Sequence, residues 1–192
     1  MITLDTTMGD ILAAYPAAKV GLFHRYHIGG CSACGYAPEE TLGAVRERSG
    51  IKDSLEQIVE CVRSSGAIEA RLHTTVDEVA AALERGAELH LIDVRTPAEY
   101  EAGHLAGARL LTVELTFDIL DGWEKDAPIV TCSNEGGRSL DKASYLTAYG
   151  KTNAKSLDGG LTAWRERFGS LEVPGRQAGR QSTVVRLAFP RG

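Results

Sequence analysis

The chain has 192 residues, 43% of them hydrophobic and 24% charged, with a formal net charge of −5. That length suits one large or two small domains, and the acidic balance argues against nucleic acid as a partner. Met1–Thr7 lacks the basic start and apolar core of a secretory signal, and no apolar stretch approaches membrane-spanning length, so the expectation is a cytoplasmic protein without membrane contact, its four cysteines reduced.

The first third reads as short helices. Thr7 is placed to cap a helix from Met8 to Tyr15, with Asp10 as the reciprocal acid. Pro16 can open a second, with Val20, Leu22 and Phe23 as apolar contacts up to about Tyr26. Pro38 begins a third that ends near Gly50. Asp53 precedes a fourth, in which Leu55, Ile58, Val59 and Val62 recur at helical spacing and Cys61 reads as a small core hydrophobe. The helical signals end near Ser64–Glu69, where a domain boundary is expected. From Val76 onward helical and strand patterns alternate, as in an α/β domain.

Between the second and third helices, Cys31 and Cys34 form a C-x-x-C pair, close enough to bond each other or share a metal. His24 and His27 precede them. A structural zinc site, however, usually draws its two ligand pairs from separate segments, with a loop of about a dozen residues between. A redox dithiol ranks first, a persulfide-accepting pair second, and a zinc or iron site third. Tyr15-Pro16, the Ile28–Cys34 run and Thr41-Leu42 together resemble small redox-disulfide modules associated with hybrid-cluster proteins, and more distantly the N-terminal domain of iron–sulfur repair proteins. The resemblance implies thiol–disulfide exchange.

Further on, Ile129–Ser139 reads IVTCSNEGGRS: an apolar run suited to a buried strand, then Cys132, then a loop with Gly136 and Gly137, then Arg138. The glycines let the loop curl so that backbone N–H groups can point into its hollow. A helix over Ser139–Tyr149, with Leu140, Ala143 and Leu146 on one face and Gly150 as a stop, would aim its positive end there. Such a cradle lowers a thiol's pKa and holds a small anion beside it. Ser133, Asn134, Glu135, Gly136, Gly137 and Ser139 are the candidate binding residues, and Cys132 and Arg138 the candidate catalytic pair. Glu135 reads as a solvated side chain on the outer rim.

Upstream stands LIDVRTPAEYEAGHLAGA over Leu91–Ala108, and downstream LDGGLTAW over Leu157–Trp164. With the loop, these segments resemble the rhodanese family, in its order: D-V-R-x-x-x-E-[FY]-x-x-G-H, C-x-x-G-x-R-S and G-G-[LI]-x-A-W. The resemblance implies an α/β fold with a central parallel sheet and flanking helices, and a persulfide carried on the loop cysteine. Asp93 and Arg95 read as an ion pair holding a turn. Glu99 and His104 read as scaffold away from the reacting sulfur, and Trp164 as core under the loop.

The family's nucleophile sits three residues before the loop glycine and five before the arginine. Counting back from Gly136 and Arg138 reaches Ser133; the cysteine is one place earlier. Either serine holds the nucleophile place, or the loop has gained a residue and Cys132 is the nucleophile of a C-x5-R loop, a length the resemblance links to dual-specificity phosphatases and arsenate reductases. A hydroxyl cannot store sulfane sulfur, and a one-residue shift along a strand turns a side chain to the opposite face.

The reading is therefore a sulfurtransferase. It takes sulfane sulfur onto Cys132 from thiosulfate or a persulfide and passes it to a thiol acceptor, with Cys31/Cys34 as one candidate. The alternatives are a non-catalytic interaction or redox-sensing module, and an oxyanion enzyme. No cofactor or resident metal is called for. The expected domains are a small helical C-x-x-C unit over 1–66, the α/β domain over 67–175, and an extension over 176–192 with several arginines.

Overall fold

The computed structural model describes residues 1–29, 35–169 and 171. Cys31, Cys34 and the C-terminal extension therefore lie outside the described residues. The chain divides into two compact units, one of Met1–Leu72 with Ser144–Tyr149, the other of the rest.

The first unit holds helices α1 (Met8–Ala14), α2 (Ala18–Tyr26), α3 (Leu42–Arg48) and α4 (Leu55–Arg71). Its two short helices start in the same way. Thr7 and Thr41 each accept a bond from the backbone N–H three residues on, and they face each other in an antiparallel bridge. The exposed amides of each helix start then find the other segment's carbonyls: Met8 donates to Glu40 and Gly9 to Pro38, while Leu42 donates to Thr6 and Gly43 to Leu4, all at 2.8–2.9 Å. This exchange satisfies groups that a helix start leaves orphaned. Met8, Ile11, Leu22, Leu42, Val45, Ile58 and Val62 close over one core. α2 and α4 cross where Gly21 lies against Ser65 and Cys61; a Cβ on Gly21 would stand 1.8 Å from Ser65 Oγ. Cys61 is core, as its spacing predicts, its thiol 3.4 Å from the Gly21 carbonyl.

Helix α4 runs unbroken through Ser64–Glu69, where the helical signals were expected to end. Ser64 and Ser65 turn their hydroxyls back onto carbonyls of Glu60 and Cys61, so the serines sit within the helix rather than breaking it.

The second unit is a five-stranded, all-parallel sheet among the described residues: β1 (His73–Thr74), β2 (His90–Asp93), β3 (Arg109–Leu110), β4 (Ile129–Cys132) and β5 (Ala154–Leu157), in the order β1-β5-β4-β2-β3. Between them run α5 (Val76–Glu84), α6 (Pro97–Glu101), α7 (Val113–Phe117), α8 (Gly137–Ala148) and, last, α9 (Gly160–Phe168), with a π-helical turn at Asp118–Gly122. The expected parallel sheet with flanking helices is present. β4 is central and buried at all four residues, which is why it reads as a continuous apolar run rather than an alternating one.

Val130 and Cys132 project into the core that Val79 of α5 and Leu161 and Trp164 of α9 complete. Thr131 faces the other way, donating from Oγ1 to the Ser139 carbonyl of α8. Alternation along β4 thus decides which side the next residue takes.

Candidate functional site

Parallel strands end together at one edge, and the loops following β2 and β4 meet there. Asp93 closes β2 with no exposed surface, and Arg95 returns to it: Nε and Nη2 donate to the carboxylate at 3.0 and 2.7 Å. The pair does hold a turn, as expected, but it also reaches further. Arg95 Nη2 donates to the Gly103 carbonyl at 2.7 Å and Nη1 to Asn134 Oδ1 at 3.1 Å. Every arm of the guanidinium is used, which is what allows it to sit 2% exposed without an orphaned donor.

Cys132, the last residue of β4, has no exposed surface and lies in the core between the sheet and α5/α9. Burial, then the Asp93 carboxylate, pushes its thiol well above the ordinary cysteine range. The sequence expectation of a thiol delivered to the rim fails at this residue for a stereochemical reason: strand geometry carries through Cys132, so its side chain follows Val130.

Ser133 takes the opposite side. It is 1% exposed, its Oγ donates to Ser139 Oγ at 3.2 Å, and the Ser139 amide donates back at 3.2 Å. Ser139 Oγ in turn donates to the Gly136 carbonyl at 2.8 Å. Among the described residues, no imidazole or carboxylate hydrogen-bonds Ser133 Oγ; its partners are the hydroxyl and amide of Ser139.

The loop's carbonyls are pinned from behind. Leu161 and Thr162, in the first turn of α9, donate to the carbonyls of Ser133 and Asn134 at 2.8 and 2.9 Å. Gly160 makes that approach possible: its φ is +60°, and a Cβ there would lie 2.3 Å from the Ser133 carbonyl oxygen. The glycine pair of the downstream segment therefore belongs to the site's scaffold. α8 begins at Gly137, two residues earlier than the sequence suggests, so its first turn forms part of the loop.

Ser133, Asn134, Glu135, Gly137 and Arg138 line an open hollow of about 370 Å³. Gly136 lies behind them, its carbonyl accepting from Ser139 and from the Leu140 amide. Amides of a helix start beside a guanidinium suit a small anion. Glu135 is exposed at the rim, as expected.

Glu99, expected as scaffold away from the reacting sulfur, reaches the loop itself: its carboxylate takes both arms of Arg138, at 2.6 and 3.0 Å, and the amide of Asn134 at 2.8 Å. The Arg138 bonds, followed by the Thr96 amide, hold its carboxyl well below the usual carboxylate range. Its partners stand 35 and 39 residues away, beyond any local pattern. Among the described residues no cluster of three or more His, Cys, Asp or Glu could hold a metal ion, and no helix is long and apolar enough to cross a membrane.

Sheet order, loop and ion-pair scaffold define an α/β module of the rhodanese type. The profile of the rhodanese-like domain matches residues 75–167. A protein from Ectopseudomonas mendocina named thiosulfate sulfurtransferase GlpE is 32% identical over 87 residues, spanning 45% of this chain and 80% of that one. Its namesake in Pseudomonas fluorescens (strain Pf0-1) is 33% identical over 99 residues, spanning 52% and 89%. The solution structure of a rhodanese-like domain from Anabaena aligns at 24% identity and a TM-score of 0.49, over 63% of this chain and 97% of that one. The chain belongs to the rhodanese-like family.

Proposed function

We propose that the 133–139 loop binds a small sulfur-bearing anion, that Ser133 braces the loop through its bonds with Ser139 rather than supplying covalent chemistry, and that the thiol which accepts sulfur comes from outside the loop. The observation that carries this reading is the divergence of neighbours: Cys132 buried in the core, Ser133 beside the hollow. Cys61 is buried as well, which leaves Cys31 and Cys34 as this chain's candidate thiols, alongside protein or small-molecule thiols. With thiosulfate as donor, a thiolate attacks the outer sulfur. The donor's S–S bond breaks, sulfite leaves with the electron pair, and the thiol becomes a persulfide. The loop's part is to orient the anion and to stabilise the charge on the departing sulfite.

A second reading keeps Cys132 as the carrier. It is favoured by relatives at 32% and 33% identity named for thiosulfate sulfurtransfer. It needs β4 to end one residue sooner, turning Cys132 into a seven-residue loop. The phosphatase-like alternative needs the same rearrangement.

Intact-protein mass spectrometry after exposure to thiosulfate or a persulfide donor separates the readings. The first predicts a gain of one sulfur that survives Cys132→Ser and vanishes in Cys31→Ser/Cys34→Ser, or transfer only to an added thiol. Loading lost in Cys132→Ser alone establishes the second and refutes the first.

A further inference from the structure

An anion entering the hollow meets a guanidinium that is already occupied. Arg138 gives one nitrogen to each oxygen of Glu99, a two-pronged pairing of the strong kind. Asn134, on the same wall, gives its amide to that carboxylate as well. Glu99 is itself fixed at the start of α6, where the Thr96 amide and hydroxyl donate to Oε2 at 2.9 and 2.8 Å. A single carboxylate therefore holds two of the side chains that line the hollow.

The charge balance follows. Arg138 contributes one positive charge, Glu99 cancels it, and Glu135 at the rim adds a negative one. What remains positive is the start of α8, worth roughly half a charge. A dianion is repelled unless it takes Arg138 from Glu99. A monoanion can be held by the Gly137 and Arg138 amides with the ion pair intact.

We propose that Glu99 sets the ligand selectivity of this hollow, by keeping Arg138 engaged, in favour of singly charged sulfur anions of the persulfide or thiosulfonate class and against dianions such as thiosulfate. The proposal rests on the reading of the 133–139 loop as a sulfur-anion site.

Sulfate and methanesulfonate are unreactive probes of similar size that differ by one charge. Each is titrated into the ¹⁵N-labelled full chain while the Gly137 and Arg138 amides are followed by NMR, in wild type, Glu99→Gln and Glu99→Gln/Arg138→Gln. Glutamine keeps the hydrogen bonds at the head of α6 and removes the charge. Wild type is expected to bind methanesulfonate at least about tenfold more tightly than sulfate. Glu99→Gln should gain sulfate affinity until the ratio is near one, and removing Arg138 should abolish that gain. Equal sulfate affinity in wild type and Glu99→Gln overturns the proposal and leaves the loop reading standing. Binding of neither anion by either folded protein overturns both. Should Glu99→Gln fail to fold, the wild-type titrations decide: sulfate bound as tightly as methanesulfonate overturns the proposal.

Discussion

Arg95 and Asn134, from loops after different strands, are joined by a 3.1 Å hydrogen bond, and the same guanidinium is locked onto the buried Asp93. The wall of the hollow is thus tied to the end of β2 through a charge almost wholly withdrawn from water. Replacing Arg95 by methionine should destabilise the protein by about 3–5 kcal/mol, since Asp93 is left buried and unpaired. Adding Asp93→Asn should recover a large part of that loss. Urea denaturation of the single and double variants measures both.

Gly160 bears on the loop from the other side. An alanine there forces a Cβ against the Ser133 carbonyl at a φ that side chains rarely adopt. Gly160→Ala should cost about 2 kcal/mol or more. In thermal melts the variant should unfold early, and its Gly137 and Arg138 amides should no longer respond to added anions.

Glu99 makes stability depend on acid. Its folded carboxyl titrates well below its ordinary value of 4.5, chiefly because of Arg138. Its contribution is fully present above about pH 4.5 and is lost as pH falls toward the folded value. The gap in Tm between wild type and Glu99→Gln should be small, because the pair is partly exposed, largest above about pH 5.5, and should narrow steadily as pH falls below about 4.5. Melts across that range check the sign.

Cys132 should behave as an inert core thiol. Its pKa is raised by burial, so it carries little thiolate at pH 8. Iodoacetamide should modify Cys132 and Cys61 at least about tenfold more slowly in native protein than in urea. Peptide mapping after timed quenching reads each site separately.

Much of this architecture is legible in the sequence because it is local. Thr7, with Asp10 three residues on, marks the start of α1, and the apolar spacing of Ile58 and Val62 marks the buried face of α4. The continuous run Ile129–Cys132 marks a strand covered on both faces. β1 and β3 escape notice because two residues carry no periodicity. The role of Glu99 escapes for a different reason: its capping bond to Thr96 is local, but its grip on Arg138 exists only after β2 and β4 are paired. The choice between Cys132 and Ser133 turns on where β4 ends, a boundary that neither residue's chemistry encodes.

The most direct test is to put a thiol at the head of the hollow. Persulfide loading by thiosulfate, or by a singly charged thiosulfonate donor, is measured by intact mass and peptide mapping in Cys132→Ser and in Cys132→Ser/Ser133→Cys. With Ser133 in the nucleophile place, Cys132→Ser should load as wild type does, and the double variant should gain one sulfur at position 133. Loading at Cys132 in wild type, lost in Cys132→Ser and not restored by Ser133→Cys, would contradict the account.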